Sequence, residues 1–172
     1  KSQPPHQQRR KSQPQHQQRR KSQRKRQRQP PVLRTRAAAM PTKLVAFAKY
    51  HGLGNDFLIV DLRDVATDVS AAIQDSAFVR AACDRQFGVG GDGVLAILPP
   101  VSGSAHARMR VLNSDGSEAE MCGNGLRCVV KFLYDRGGIK QPTIIVDTGA
   151  GALSCAVHVV NDLVATVTVD MG

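Results

Sequence analysis

Residues 44–51 (LVAFAKYH) and 56–63 (DFLIVDLR) are runs rich in β-branched and aromatic residues, separated by the turn-forming stretch GLGN; that spacing predicts a β-hairpin. Residues 68–88 predict one helix, with a partial apolar stripe of Ala72, Ile73, Ala77, Phe78 and Ala81 and a stop at Gly88. VLAILPP (94–100) has the continuous apolar character of a buried strand, and ARMRVLN (107–113) alternates as a half-exposed one does. Leu126, Val129, Val130 and Leu133 then recur at helical spacing, with Lys131, Asp135 and Arg136 on the opposite side, and Gly137-Gly138 ends the helix they predict. TIIVDT (143–148), ALSCAVHVV (152–160) and LVATVTVDM (163–171) predict three closing strands. The pattern is strand-rich with two helices, and the fold class expected is α+β.

The first 39 residues have no such pattern. KSQPPHQQRR, KSQPQHQQRR and KSQRKRQRQ form a tandem repeat of Lys, Ser, Gln, Pro, His and Arg that has too little apolar surface to offset the entropy of ordering. A disordered basic tail or a targeting leader is therefore expected over 1–39, and one folded domain over 40–172. VLRTRAAAM resembles the end of a transit peptide, and Met40 is a candidate internal start.

Charge divides at the same place. The chain has 24 Lys and Arg against 14 Asp and Glu, net +10. Residues 1–39 hold 13 of the basic residues and none of the acidic ones, which leaves 11 against 14 in the body. A body of −3 gives no electrostatic reason to expect nucleic-acid binding. A basic arm for RNA, DNA or a membrane surface stays open for the tail alone. Four scattered cysteines do not make a secreted disulfide scaffold, and no run reaches the roughly 18 apolar residues of a membrane span. A soluble, non-secreted protein is expected, in a chloroplast if 1–39 is a transit peptide and otherwise in the cytoplasm.

The candidate chemistry lies in MCGNGLRC (121–128), which follows the polar stretch NSDGSEAE and opens the second helix. The first N–H groups of a helix lack partners and face the positive end of its dipole, so a thiol there ionises more readily and a carboxylate or phosphate can be held by the backbone. Gly123 and Gly125 would keep side chains from blocking such an anion, at a cost of roughly 1 kcal/mol each relative to alanine. Asn124 adds an amide donor. Cys122 is then a reactive cysteine beside an anion pocket; alternatively it is a small buried hydrophobe with a tight glycine turn after it. Cys128, about 240° further around the helix, cannot share a metal ion with Cys122 and is expected in the core.

YHGLGNDFLIVD (50–61), DRQFGVGGDGVL (84–95), RVLNSDGSEAEMCGNGLRC (110–128) and TGAGAL (148–153) resemble, in order and spacing, the motifs of the N-terminal half of the diaminopimelate epimerase family. The resemblance covers about residues 43–172. It implies one of two pseudo-symmetric domains, each a mixed sheet wrapped around a central helix. It also implies interconversion of LL- and meso-diaminopimelate on the route to lysine, without pyridoxal phosphate or a metal. Two cysteines do this in the family, one as thiolate base and one as thiol acid, and Cys122 matches the first of them. Asn55, Asn113, Gly123 and Asn124 fall on substrate-contacting positions. Gly93 stands where the family often has glutamine, so no side-chain contact is carried to it. The implied partner is the small molecule diaminopimelate, with no membrane and no nucleic acid, and a homodimer is the assembly the resemblance allows.

The resemblance further implies a second domain with its own cysteine, so the 172 residues are expected to be an incomplete and inactive portion of an epimerase. Proline racemases and hydroxyproline dehydratases share the two-cysteine architecture and remain an alternative. Several residues have two readings: Asn55 as a substrate contact or a turn residue tolerating positive φ, Asn113 as a substrate contact or a turn cap, Asp56 and Asp92 as acid–base candidates or turn formers, and His51 and His158 as groups that could activate a cysteine, His158 being more in keeping with a structural or exposed strand residue. His51 cannot be placed relative to Cys122 from sequence.

Overall fold

The computed structural model describes residues 44–171, and the tail expected over 1–39 lies outside them. The elements in chain order are β1 (Ala48–Gly52), β2 (Asn55–Asp61), α1 (Thr67–Ile73), α2 (Ser76–Cys83), β3 (Gly93–Leu98), β4 (Ala107–Asn113), β5 (Glu118–Ala119), α3 (Gly123–Asp135), β6 (Thr143–Thr148), β7 (Gly151–Val160) and β8 (Leu163–Val169). The strands form one mixed sheet of order β1-β2-β3-β4-β6-β7-β8, with β5 paired to β4. β2/β3 and β4/β6 are parallel and the other pairs antiparallel.

The amphipathic stripe of α3 organises this sheet. Leu126, Val129, Val130 and Leu133 are fully buried, and the inner faces of the strands close on them with Phe57, Ile59, Leu95, Ile97, Met109, Val111, Ile144 and Val146. α3 packs against both β1 and β8, so the sheet curls until its two edge strands flank the same helix. This is the α+β arrangement of a mixed sheet around a central helix. β4 shows the period of two directly, with Met109 and Val111 buried and Arg108 and Arg110 less so. β3 and the Phe57–Val60 centre of β2 are continuously apolar because their outer faces are covered as well: Leu58, Val60, Val94 and Ala96 pack with Ile73, Val79 and Cys83 of α1 and α2.

The single helix expected over 68–88 is two helices. Asp75 takes an extended backbone and its carboxylate accepts from the N–H groups of Ala77 and Phe78, which starts α2 afresh. The break resets the helical phase. Of the expected stripe only Ile73 is buried, and Val79 and Cys83 replace Ala77, Phe78 and Ala81 on the inner face.

The expected hairpin is formed by β1 and β2, which close through a two-residue turn between Gly52 and Asn55. Both central residues have positive φ, Leu53 at 50° and Gly54 at 95°, as the type I′ turn requires. Glycine suits that geometry, whereas leucine does not, and Leu53 is exposed with no burial to offset the strain. Leu53→Asn is expected to stabilise the domain by about 1 kcal/mol, read as an increase in the urea midpoint at unchanged slope. The β7–β8 turn supports this expectation: it has Asn161 and Asp162 at φ 53° and 62° in the same two positions.

Candidate functional site

Four chain segments meet at one end of the sheet. β2 begins at Asn55 and the parallel β3 at Gly93, while the antiparallel β1 and β4 end at Gly52 and Asn113. The start of α3 reaches the same end. A Cβ on Gly52 would stand only 3.0 Å from the backbone oxygen of Asn124, so the hairpin can approach the helix because residue 52 has no side chain.

Cys122 is the N-cap of α3, with an extended backbone at φ −143° and ψ 109°. Its carbonyl accepts from the N–H of Leu126 at 2.8 Å and its Sγ accepts from the N–H of Gly125 at 3.4 Å. The N–H groups of Gly123 and Asn124 have no acceptor among the described residues. The glycines on either side of Asn124 serve different ends. The Cβ position of Gly123 is open, with only the Arg127 guanidinium at 3.5 Å, as anion access requires. Gly125 is buried instead, and a Cβ there would stand 3.0 Å from the Leu95 side chain, so this glycine lets α3 settle on β3.

Cys122 is half-buried, whereas Cys83, Cys128 and Cys155 are buried, and none of the four is in a disulfide. Burial raises the thiol of Cys83 and pushes those of Cys128 and Cys155 up to about 11. Cys128 is thus a core residue, as expected. Brief iodoacetamide treatment of the native chain near neutral pH is therefore expected to label Cys122 well ahead of the other three, as read by peptide mass spectrometry. Equal labelling of all four would contradict the burial pattern.

Asn55 and Asn124, 69 residues apart, are brought into contact: the Asn124 Nδ2 donates to Asn55 Oδ1 at 2.9 Å. Asn55 has no positive φ; that role belongs to Leu53 and Gly54. Its Nδ2 donates to Asp92 Oδ2 at 3.2 Å, and the Asp56 N–H donates to the same oxygen at 3.0 Å. Arg85 then ties the carboxylates together, with 2.6 and 3.1 Å bonds to Asp56 and 2.8 Å to Asp92 Oδ1. Lys49 adds an ion pair to Asp56 at 3.0 Å. The hydrogen bonds from Arg85 and then Lys49 hold the Asp56 carboxyl well below the usual range, which makes it an anchor rather than a proton donor near neutrality.

Asn113 lies opposite Gly93 in the sheet, while its side chain closes the following turn by donating to Ser117 Oγ at 3.0 Å. Asp92, weighed in the sequence as an acid–base candidate or a turn former, and Arg85, which the sequence does not single out, both belong to the cluster. His51 is exposed and pairs with Asp56 across the hairpin, and His158 is exposed on β7. A cleft of about 370 Å³ opens between β1 and β8 over Arg127, Cys128 and Lys131, but Cys122, Asn55 and Asn124 are not among its lining residues. Among the described residues no three of His, Cys, Asp and Glu converge as metal ligands would, and no helix is long and apolar enough to cross a membrane.

The curled sheet around one helix is a fold shared with racemases and epimerases. A hydroxyproline epimerase of Agrobacterium vitis superposes with a TM-score of 0.58 at 18% identity, over 73% of this chain and 40% of that one. The family itself is narrower. A sequence profile described as diaminopimelate epimerase matches residues 47–172, and the chain belongs to that family. Among its relatives are the diaminopimelate epimerases of Desulfitobacterium hafniense, 50% identical over 125 residues (72% of this chain and 42% of that protein), and of Methanothermobacter thermautotrophicus, 42% identical over 129 residues (75% and 44%). The chain thus spans less than half the length of these relatives.

Proposed function

We propose that this domain is one catalytic wall of a diaminopimelate epimerase, with Cys122 as one of the two groups that exchange the α-proton. The carrying observation is the pairing at the start of α3 of a half-buried cysteine with two N–H groups that have no acceptor among the described residues, those of Gly123 and Asn124. The α-carboxylate docks on those donors, and Asn55, Asn124 and Asn113 hold polar groups of the substrate. As the Cys122 thiolate takes the α-proton, negative charge passes from sulfur to the α-carbon and its carboxylate. The helix N-terminus stabilises that charge without having to reorganise. An opposing thiol then delivers a proton to the other face, and the roles reverse for the opposite direction.

Cys83, Cys128 and Cys155 are buried, and Cys128 lines a cleft that does not include Cys122, so none of them is the opposing thiol on this reading. It comes from a second half of the enzyme, and the present chain is inactive without it. On the same reading the substrate is LL- or meso-diaminopimelate, no pyridoxal phosphate or metal takes part, and two copies can pair as a homodimer. The enzyme works in a plastid if residues 1–39 serve as a transit peptide and in the cytoplasm otherwise. The test is a fusion of this chain to the C-terminal half of the Desulfitobacterium hafniense relative, assayed on diaminopimelate, proline and hydroxyproline. Turnover of diaminopimelate alone is expected; turnover of proline or hydroxyproline in its place would overturn the reading.

A further inference from the structure

We infer that Asp92 and Arg127 are positioning residues that, from the two ends of a three-bond relay, fix which way the side-chain amides of Asn55 and Asn124 face. An asparagine amide has a donating and an accepting end of nearly the same shape, so a contact between two asparagines can be made in more than one orientation. A guanidinium only donates and an ionised carboxylate only accepts. Here Arg127 Nη1 donates to Asn124 Oδ1 at 3.4 Å, Asn124 Nδ2 donates to Asn55 Oδ1 at 2.9 Å, and Asn55 Nδ2 donates to Asp92 Oδ2 at 3.2 Å. Flipping either amide would set donor against donor at one junction and acceptor against acceptor at the next.

The acceptor end is itself pinned, since Asp92 also takes the Asp56 N–H on Oδ2 and Arg85 Nη2 on Oδ1. Both amide oxygens are engaged inside the relay, and each amide keeps one N–H outside it. Together with the backbone N–H groups of Gly123 and Asn124, the site then offers donors to a carboxylate. That last consequence rests on the epimerase reading, whereas the relay does not.

The experiment is ¹H–¹⁵N NMR of the side-chain amides in the full 172-residue chain, unsubstituted and as Arg127→Met, Arg127→Lys and Asp92→Asn, with backbone dispersion as the check on folding. Arg127→Met is expected to shift the Asn55 side-chain amide, although Arg127 bonds only to Asn124, and Arg127→Lys is expected to restore it in part. Asp92→Asn is expected to shift the Asn124 amide in turn. In the unsubstituted chain each amide should show one proton protected from exchange and one unprotected. Shifts confined to the directly bonded asparagine, or equal exchange of both protons on either amide, would overturn the inference. If the variants unfold, the exchange measurement on the unsubstituted chain decides. A chain that shows the relay yet does not act on diaminopimelate after fusion overturns the epimerase reading and leaves the relay standing.

Discussion

Cys122→Ala is expected to lower diaminopimelate turnover in the fused enzyme by about 10³-fold or more, with little change in stability. Alanine removes the one half-buried thiol among the described residues and with it the atom proposed to exchange the proton. The backbone of residue 122 still accepts the Leu126 N–H, so the first turn of α3 keeps its main-chain bond. The Sγ contact with Gly125, at 3.4 Å, is a weak sulfur bond whose loss costs no more than about 1 kcal/mol. Kinetics and urea unfolding of the same variant separate the two effects. Residual turnover within tenfold of the parent would remove Cys122 from the reaction.

The second large effect falls on stability. Leu133→Ala is expected to cost about 2–5 kcal/mol, because Leu133 is fully buried where the sheet closes around α3 and the surrounding strands cannot collapse into the space left behind. Against a total of roughly 5–15 kcal/mol for a domain of this kind, that is enough to unfold a sizeable fraction of molecules at growth temperature. Lys131→Ala, two residues earlier on the same helix, removes a partly buried ion pair with Asp135 at 2.9 Å and a bond to the Val164 carbonyl, and is expected to cost about 1–2 kcal/mol. Chemical unfolding of the two variants side by side checks the contrast, and equal losses would mean that α3 is not the centre of the core.

The hairpin, β3, β4, α3 and the three closing strands are legible in the sequence because each carries a β-branched or continuous apolar run, an alternation, or a period of 3.6. α3 is the clearest case, with all four of its predicted apolar residues fully buried. The break between α1 and α2 is not legible, since alanines run through it and Asp75 caps through a bond that composition does not reveal. β5 has only two residues and owes its place to β4. The start of the site was readable in one motif: the N-cap position of Cys122 follows from GNG at a helix opening. Its completion was not. The contact of Asn55 with Asp92 joins residues 37 positions apart through the pairing of β2 with β3, and that of Asn124 with Asn55 joins residues 69 apart because α3 packs against β1. Gly125 shows the limit in the other direction, for its sequence context suggests anion access and its surroundings show packing on Leu95.

The most direct test of the central claim is solvent-isotope incorporation. The fused enzyme is supplied with LL-diaminopimelate in D₂O, and the deuterium content of substrate and product is followed by mass spectrometry. Meso-diaminopimelate labelled at the inverted α-carbon is expected, with the label lost along with turnover in the Cys122→Ala variant. Meso product without deuterium, or labelled product that survives the loss of Cys122, would contradict it.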